Sequence, residues 1–510
     1  MLGRRLVIGF IAATLAAGGM AAAAVAPSAA APAAGDWSRP ARVWSAPAGT
    51  SAPVDLGQVV DSRGVVTATW ETSARGIWRV MASRLGSNGW SKPVTVFRAQ
   101  AGATELDVRT AAGPADEVVV AVAALGGGGV KMSAARFSAG FWSPAVALGD
   151  YPDPSSDDAG RVTAFATLAD GSGVSVLWQV RNGWAPTVPI VARGLPSGAS
   201  GWTPATVLDD AATGSFSLVR DGRDTVRAAW LHGQDVVTAQ GSASGWGARE
   251  TIGTRVPGAG AIASSDLYDW PAVQAAADLD GTVLVTWMPR AAQGTCPPIM
   301  TALRSATGWA PAVPTTDLSA ASSCVTDLFP FVGRGLAPTV TGVDPGRWVD
   351  RALATTWSGS TWGPVHETSG HPQAAGSTLL AINRPWSTTI GGAKPDISWL
   401  TSSTLTPGGW TEPQRISDAG WGWVEDVAST TAADGSFVIV YSKLRPWRYN
   451  AIWSMTYANG QWSTAEVLGP RVRTPKGSFG ADLASPVVAP DGRVTVAWIL
   501  GDGVFASRSR

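Results

Sequence analysis

The chain has 510 residues, including 26 Trp, 60 Gly and 35 Pro, and its 38 basic and 38 acidic residues give a formal net charge of zero. An apolar fraction of 45% excludes a disordered chain, and the balanced charge argues against nucleic acid as a partner. Two Cys and three His exclude a dense disulfide scaffold and a thiolate zinc site.

Residues 1–34 predict a secretory signal peptide. Two Arg precede the apolar stretch Leu6–Leu15, and an Ala-rich tail places the cleavage site between Ala26 and Ala34. The alternative is an uncleaved anchor, because Leu6–Ala26 is about long enough to span a bilayer. We expect a secreted, extracellular protein with no membrane span once the signal is removed.

A Gly-Trp motif, followed in most copies by Pro, recurs along the rest of the chain at a spacing of about fifty residues. Its Trp residues are Trp37, Trp90, Trp142, Trp202, Trp246, Trp309, Trp362, Trp410 and Trp462. Five copies also carry an earlier β-branched run that ends in Trp, and Tyr441 ends a sixth. These run-ending residues are Trp70, Trp178, Trp230, Trp287 and Trp498. Asp-Gly turns open most of the runs, so each repeat predicts four short antiparallel strands.

Four strands at this period predict the blade of a β-propeller. Residues 482–510 supply three strands and residues 37–43 supply a solitary fourth one, so the N-terminal strand is expected to complete the C-terminal blade. The predicted fold is all-β, a single propeller domain over residues 36–510 with about nine units. Eight or seven units stay open, and an array of β-sandwiches is the alternative. We expect a monomer.

The two cysteines test this layout. Cys296 falls in the loop between the second and third strands of the fifth unit, and Cys324 falls in the loop that leads into the next unit. Both loops open on the same face of a propeller, so an extracellular protein is expected to join them in a disulfide. Free thiols are the alternative.

Three aromatic-rich loops on that face are candidate ligand sites. The first contains two guanidinium groups and two rings, a composition suited to stacking on sugars and pairing with carboxylates: Arg445, Trp447, Arg448 and Tyr449. The other two contain Trp421 and Trp423, and Tyr268 and Trp270. In the alternative interpretation the rings pack between blades and the Arg side chains are solvated.

One acidic loop is a candidate Ca²⁺ site, because clustered carboxylates are the oxygen ligands that this cation prefers. It contains Asp150, Asp153, Asp157 and Asp158. The alternative is a solvated acidic turn, and no other cofactor is expected. His232, His366 and His371 are expected in separate surface loops.

The turns between the third and fourth strands show a family resemblance. Ser87-Asn88-Gly89-Trp90, Ser244-Gly245-Trp246 and their counterparts at Trp142 and Trp309 resemble degenerate Asp-boxes, the bacterial neuraminidase repeats of the sialidase-like propeller superfamily. The Asp of the box is absent from all of them. The chain is most similar to the secreted Trp-rich repeat propellers of actinobacteria, across about residues 36–510.

This resemblance implies a fold more than a chemistry. Sialidases use an Arg triad, a Tyr nucleophile with a Glu partner and an Asp acid/base. Arg39-Pro40 lacks the family's flanking residues, and none of the five Tyr has a persuasive Glu neighbour. No catalytic residue is therefore carried over.

The sequence leaves three functions open. The first is a non-enzymatic propeller that binds glycans or cell-envelope polymers through its aromatic loops. The second is a sialidase-like glycoside hydrolase or a polysaccharide lyase, which needs two carboxylates that converge near the channel. The third is an extracellular scaffold for a protein partner.

Overall fold

The computed structural model describes most of the chain after residue 36. The described residues are 37–509 without 115, 127–128, 152–160, 182–186, 255–272, 279, 289–297, 316–317, 319–324, 326–327, 333–336, 345–350, 370, 376–377, 384–397, 407–408, 418–422, 432–435, 446–448 and 470–481. The predicted signal peptide, Cys296 and Cys324 lie outside them.

The described residues form 43 strands and no helix. All strand pairs are antiparallel, and the strands join into eight sheets. The all-β expectation is confirmed. No helix long and apolar enough to cross a bilayer is found in the described part of the chain.

The strands fall into successive groups of four, here called units 1 to 9, and short edge strands extend several of them. Unit 1 contains β2 (Val54–Val60), β3 (Val66–Ala74), β4 (Ile77–Gly86), β5 (Gly89–Trp90) and β6 (Val94–Arg98). Unit 2 contains β7 (Ala103–Ala112), β8 (Val118–Gly126), β9 (Gly129–Ser138), β10 (Phe141–Trp142) and β11 (Val146–Tyr151). Unit 3 contains β12 (Arg161–Asp170), β13 (Gly173–Arg181), β14 (Val188–Pro196) and β15 (Thr206–Ala212).

The middle of the chain repeats this order. Unit 4 contains β16 (Ser217–Arg220), β17 (Val226–His232), β18 (Asp235–Ser242), β19 (Gly245–Trp246) and β20 (Glu250–Thr254). Unit 5 contains β21 (Val273–Ala277), β22 (Val283–Trp287), β23 (Met300–Ser305), β24 (Gly308–Trp309) and β25 (Val313–Pro314). Unit 6 contains β26 (Leu328–Phe331), β27 (Thr339–Asp344), β28 (Arg351–Thr356) and β29 (His366–Ser369).

The last three units show the same order of strands. Unit 7 contains β30 (His371–Ala375), β31 (Thr378–Asn383), β32 (Trp399–Thr406), β33 (Gly409–Trp410) and β34 (Gln414–Arg415). Unit 8 contains β35 (Trp423–Thr431), β36 (Phe437–Arg445), β37 (Tyr449–Ala458), β38 (Gln461–Trp462) and β39 (Glu466–Val467). Unit 9 contains β40 (Asp482–Leu483), β41 (Val487–Val488), β42 (Val494–Leu500) and β43 (Gly503–Arg508), together with β1 (Ala41–Ser45).

Eight sheets hold these nine units because units 3 and 4 share one sheet. The two units are linked by a single residue pair between β15 and β17, Ala212 with His232. Every other unit is a separate sheet.

The two ends of the described chain meet in unit 9. Strand β1 pairs with β43 in a register that matches Ala41 with Ala506, and Trp37 forms an isolated bridge with Ser509. The Ser38 amide also donates to the Arg508 carbonyl at 2.8 Å. The N-terminal strand therefore supplies the outer strand of the last unit, as the sequence predicts.

Neighbouring units contact each other through their first strands. These contacts run in the order β2, β7, β12, β16, β21, β26, β30, β35 and β40, and β40 contacts β2 again. Unit 1 is also bonded to unit 9, because Gln58 Nε2 donates to the Ser485 carbonyl at 2.6 Å and to the Thr495 carbonyl at 3.0 Å. The first and last units are thus direct neighbours.

The Trp residues that end the second strands form the core. Trp70, Trp178, Trp230, Trp287 and Trp498 are fully buried, and so is Tyr441. Gly253 of unit 4 packs against the Trp287 ring of unit 5. A Cβ added at this position would lie 2.5 Å from the ring, so a residue without a side chain is needed there. These rings support the architecture and are not exposed to a ligand.

The Trp residues of the Gly-Trp turns join successive units. Each of four indole N–H groups donates to a side chain of the preceding unit: Trp309 to Glu250 at 2.9 Å, Trp362 to Thr301 at 3.0 Å, Trp410 to Thr356 at 3.3 Å and Trp462 to Ser402 at 2.9 Å. At Gly308, directly before Trp309, the turn has φ +110°, a conformation that Gly adopts without strain. In these four units the Trp of the repeated motif therefore links adjacent sheets by a hydrogen bond.

Candidate functional site

Carboxyl groups lie near the beginning of the first strands in four neighbouring units. Asp482 begins β40, Asp55 follows the first residue of β2, Glu105 and Asp107 are in β7, and Asp426 is in β35. Because β35, β40, β2 and β7 contact each other in that order, residues distant in sequence come together. These five groups and Glu71 of β3 are called the carboxylate cluster below.

Irregular strand pairing accompanies three of these groups. The register shifts between Val54 and Gly57, around Asp55, and between Val424 and Val427, around Asp426. A third shift directly precedes Glu105. Bulges of this kind re-aim side chains and are frequent next to functional sites. Asp55 also has φ +51°, a left-handed conformation that only a minority of non-Gly residues adopt.

The members of the cluster differ in exposure. Asp55, Glu105 and Asp482 contact water, and Asp107 and Asp426 are half-buried. Burial is nevertheless the main cause that raises the pKa of Asp55, Asp107, Asp426 and Asp482.

Asp482 is the accessible carboxyl group with the largest shift. Burial, followed by the charges of Asp426 and Asp55, raises its pKa to about 6. Backbone N–H donors counteract the effect of burial on Asp426, whose Oδ2 accepts from the Leu483 amide at 3.1 Å. This bond also ties unit 8 to unit 9. Neighbouring carboxyl groups with different protonation preferences are the arrangement used in acid–base catalysis.

Glu71 lies behind the exposed members of the cluster. It is 1% exposed, and its Oε1 has no hydrogen-bond partner among the described residues. Burial raises its pKa to about 9, assisted by the charges of Asp55, Asp107 and Glu105 and opposed by Arg109. Glu71 is therefore protonated at neutral pH.

Arg109 is the cation that the described residues bring to the cluster. Its Nη1 is 2.6 Å from Asp107 Oδ1 and donates to the Val108 carbonyl at 3.0 Å. Its Nε donates to the Phe165 carbonyl of unit 3 at 3.2 Å, and the guanidinium lies 5.8 Å from the Phe165 ring. The side chain is thus held between units 2 and 3, beside one carboxylate.

The aromatic candidates lie partly in the described chain. Strand register pairs Trp423 with Leu444 and Arg445 with Tyr449, which places these positions at the end of unit 8 where Asp426 lies. Trp421, Trp447, Arg448, Tyr268 and Trp270 are outside the described residues. The sequence did not predict the carboxylate cluster.

The Ca²⁺ candidate is described only at Asp150, which is exposed near the end of β11. Asp153, Asp157 and Asp158 lie outside the described residues. Within the described residues, no three His, Cys, Asp or Glu side chains are grouped so as to hold a metal ion.

The expectation that the three His occupy loops is wrong, since each lies in a strand: His232 in β17, His366 in β29 and His371 in β30. The Nδ1 of His232 is 2.9 Å from buried Asp209. The ring of His366 stacks on Trp410 at 5.4 Å, and its Nε2 is 2.8 Å from Ser403 Oγ. Polar partners on neighbouring strands compensate for placing the rings of His232 and His366 in sheets.

Sequence comparison gives no relative of known function: no protein-family model matches the chain and no curated protein is similar to it. Three solved structures share weak structural similarity. The Dos1 propeller has a TM-score of 0.42 at 10% identity, over 81% of this chain and 93% of that one. Polysaccharide lyase Uly1 has a TM-score of 0.36 at 12% identity, over 68% of this chain and 88% of that one.

The third structure comes from a study of two prolyl endopeptidases, with a TM-score of 0.38 at 13% identity over 78% of this chain. The match spans about half of that protein's length, 53%. At these TM-scores the similarities carry no argument about function, which has to come from the site.

Proposed function

We propose that this protein is a secreted β-propeller that binds a saccharide at the carboxylate cluster and cleaves a glycosidic bond by general acid–base catalysis. The observation that carries the proposal is Asp482, an accessible carboxyl group whose pKa is raised to about 6 beside Asp426 and Asp55. Glycosidic cleavage requires such a pair, one carboxylic acid that protonates the leaving oxygen and one carboxylate that acts as base or nucleophile.

The roles follow from the surroundings of each group. Asp482 retains its proton to higher pH than an ordinary Asp and touches water, so it serves as the acid. Asp426 serves as the ionised partner because the Leu483 amide stabilises its carboxylate. Asp55 supplies a third, exposed carboxyl group on the neighbouring strand β2, and its oxygens accept hydrogen bonds from sugar hydroxyls.

The proposed architecture is one closed ring of nine four-stranded units over residues 36–510. The cyclic order of first-strand contacts, the bonds of Gln58 to unit 9 and the pairing of β1 with β43 support it. Such a ring brings units 8, 9, 1 and 2 together around the cluster. The predicted signal in residues 1–34 and the predicted Cys296–Cys324 disulfide fit an exported monomer.

A non-enzymatic glycan-binding propeller is the second candidate. It is favoured by the strand register that places Trp423, Arg445 and Tyr449 at the end of unit 8. Residues of these types are suited to sugar binding without any catalytic acid. The third candidate, a scaffold for a protein partner, rests on the sequence alone.

The test is a screen of chromogenic glycosides and polysaccharides with the secreted protein and two variants. Asp482→Asn is expected to abolish turnover and to leave saccharide binding largely intact, whereas Trp423→Ala is expected to weaken binding. Binding that persists in all variants without turnover by the wild type favours the second candidate. Turnover that Asp482→Asn does not change overturns the proposed site.

A further inference from the structure

Asp426 lies in a bulge of unit 8. The register of β35 and β36 shifts between Val424 and Val427. Within this shift two residues of β35, Glu425 and Asp426, oppose one residue of β36, Ser442. A bulge of this kind takes a residue out of the regular ladder and re-aims its side chain.

Ser442 supplies an acceptor for the bulged backbone. The Asp426 amide donates to Ser442 Oγ at 3.2 Å, whereas in a regular antiparallel ladder an amide donates to a carbonyl of the next strand. A buried amide without an acceptor is destabilising, so the Ser442 hydroxyl favours the bulge. Ser442 is 2% exposed and therefore acts from within the sheet, not on a ligand.

The bulged backbone holds the Asp426 carboxylate against unit 9. Its Oδ2 accepts from the Leu483 amide at 3.1 Å, and Leu483 directly follows the proposed acid, Asp482. Strand β40, which contains both of these residues, contacts β35 and β36. The charge of Asp426 acts on Asp482, so the two carboxyl groups are neighbours. The position of Asp426 relative to Asp482 therefore depends on the bulge.

The repeat does not require a Ser at this position. Ser442 follows Tyr441, which takes the place of the buried Trp at the end of the second strand. In five other units the residue after that Trp has a different side chain: Glu71, Gln179, Leu231, Met288 and Ile499. The packing that the units share therefore does not account for a hydroxyl group at Ser442.

We infer that Ser442 is a positioning residue, which holds Asp426 beside Asp482 in the geometry that glycosidic cleavage needs. The inference rests on the proposed function, since it adds a residue to that site. Ser442 acts through the backbone of Asp426. Without the Ser442 hydroxyl this amide loses its acceptor, so the backbone is expected to shift until the amide finds another one. The carboxylate is then expected to leave the Leu483 amide.

Kinetics and crystal structures of Ser442→Ala, Ser442→Thr and a matched control, Ser175→Ala, test the inference. Ser175 is also buried in a second strand, β13, but its Oγ has no hydrogen-bond partner among the described residues. In Ser442→Ala, kcat is expected to fall by about tenfold with little change in KM, because a displaced catalytic group slows the chemical step. Ser442→Thr retains the hydroxyl and is expected to restore most of kcat, and Ser175→Ala is expected to keep the wild-type kcat.

The pH profile separates positioning from a general loss of folded protein. Partial unfolding of the enzyme stock lowers turnover by the same factor at every pH. Displacement of Asp426 instead weakens the effect of its charge, which raises the pKa of Asp482, while Asp55 still acts on that group. Turnover of Ser442→Ala is therefore expected to be lost at lower pH than turnover of the wild type.

Failure of the inference and failure of the proposed function are distinguishable. If Ser442→Ala keeps the wild-type kcat and pH profile, or keeps the bond between Asp426 Oδ2 and the Leu483 amide in its crystal structure, the inference is overturned and the proposed function stays in place. If the wild type cleaves no saccharide, the proposed function is overturned. The crystal structure of Ser442→Ala then decides alone whether Ser442 positions Asp426.

Discussion

Glu71 in unit 1 and Asp209 in unit 3 are two carboxyl groups buried in the same repeat architecture, 1% and 3% exposed. Asp209 is surrounded by donors: Trp230 Nε1 at 2.6 Å, the Ala211 amide at 2.8 Å, His232 Nδ1 at 2.9 Å and Arg249 Nη1 at 3.2 Å. Burial raises its pKa, but the donors outweigh burial and the net shift is downward. Burial, assisted by the charges of neighbouring carboxylates, raises the pKa of Glu71 to about 9.

The difference shows that burial alone does not decide the charge of a carboxyl group. Donors keep Asp209 ionised as part of a link between units 3 and 4, whereas Glu71 stays protonated beside other carboxyl groups. Asp209 helps to hold two units together, whereas Glu71 has a carboxyl oxygen without a hydrogen-bond donor among the described residues.

The largest expected effect is that of Asp209→Asn. The amide leaves the N–H groups of Trp230, His232 and Arg249 without an anion, so the free energy of unfolding is expected to fall by about 3 kcal/mol. Denaturant unfolding measures the change. The neighbouring exposed Asp210→Asn is the control, with an expected change within about 0.5 kcal/mol. Equal effects of the two variants would contradict the link.

The Glu71→Gln substitution is expected to stabilise the protein, and the size of this stabilisation is expected to depend on pH. The native state holds the Glu71 proton more tightly than the unfolded chain does, so wild-type stability is full below pH 4.5 and falls as pH rises toward about 9. The slope reaches up to about 1.4 kcal/mol per pH unit. Glutamine cannot ionise, so the variant is expected to lose this slope and to be more stable than the wild type at alkaline pH. Parallel stability curves for both proteins would contradict a protonated Glu71.

A smaller loss of stability is expected when an uncharged hydrogen-bond donor that links two units is removed. Trp362→Phe removes the indole N–H that donates to Thr301 at 3.0 Å and retains an apolar ring, which is expected to cost about 1 kcal/mol beyond the lost volume. Trp142→Phe is the matched control, since no described residue accepts from its Nε1. Equal losses in denaturant unfolding would show that the indole bond contributes nothing.

Local patterns predicted the fold features that depend on local causes. The Gly-Trp turns, the Trp residues that end the second strands and the split last unit all follow from repetition along the chain. Gly308 adopts the positive φ that its turn requires, and Trp230 and Trp498 are fully buried. Each of these features is determined within one repeat or by the register between adjacent repeats.

The sequence did not predict the carboxylate cluster because the residues of the cluster come from different repeats. Asp482 and Asp55 become neighbours only when unit 9 lies beside unit 1, and the bulges that hold Asp55 and Asp426 leave no motif. A weak signal was present: acidic residues at the beginning of first strands, as in Val54-Asp55-Leu56 and Asp482-Leu483. The placement of His232 failed for a related reason, since its partner Asp209 comes from another unit.

The most direct measurement of the central claim is the pH dependence of saccharide turnover in the wild type and in Asp482→Asn. The wild type is expected to lose turnover as pH rises through about 6, where Asp482 gives up its proton, and the variant is expected to have no turnover at any pH. The same turnover and pH profile in both proteins would contradict a catalytic role for this carboxyl group.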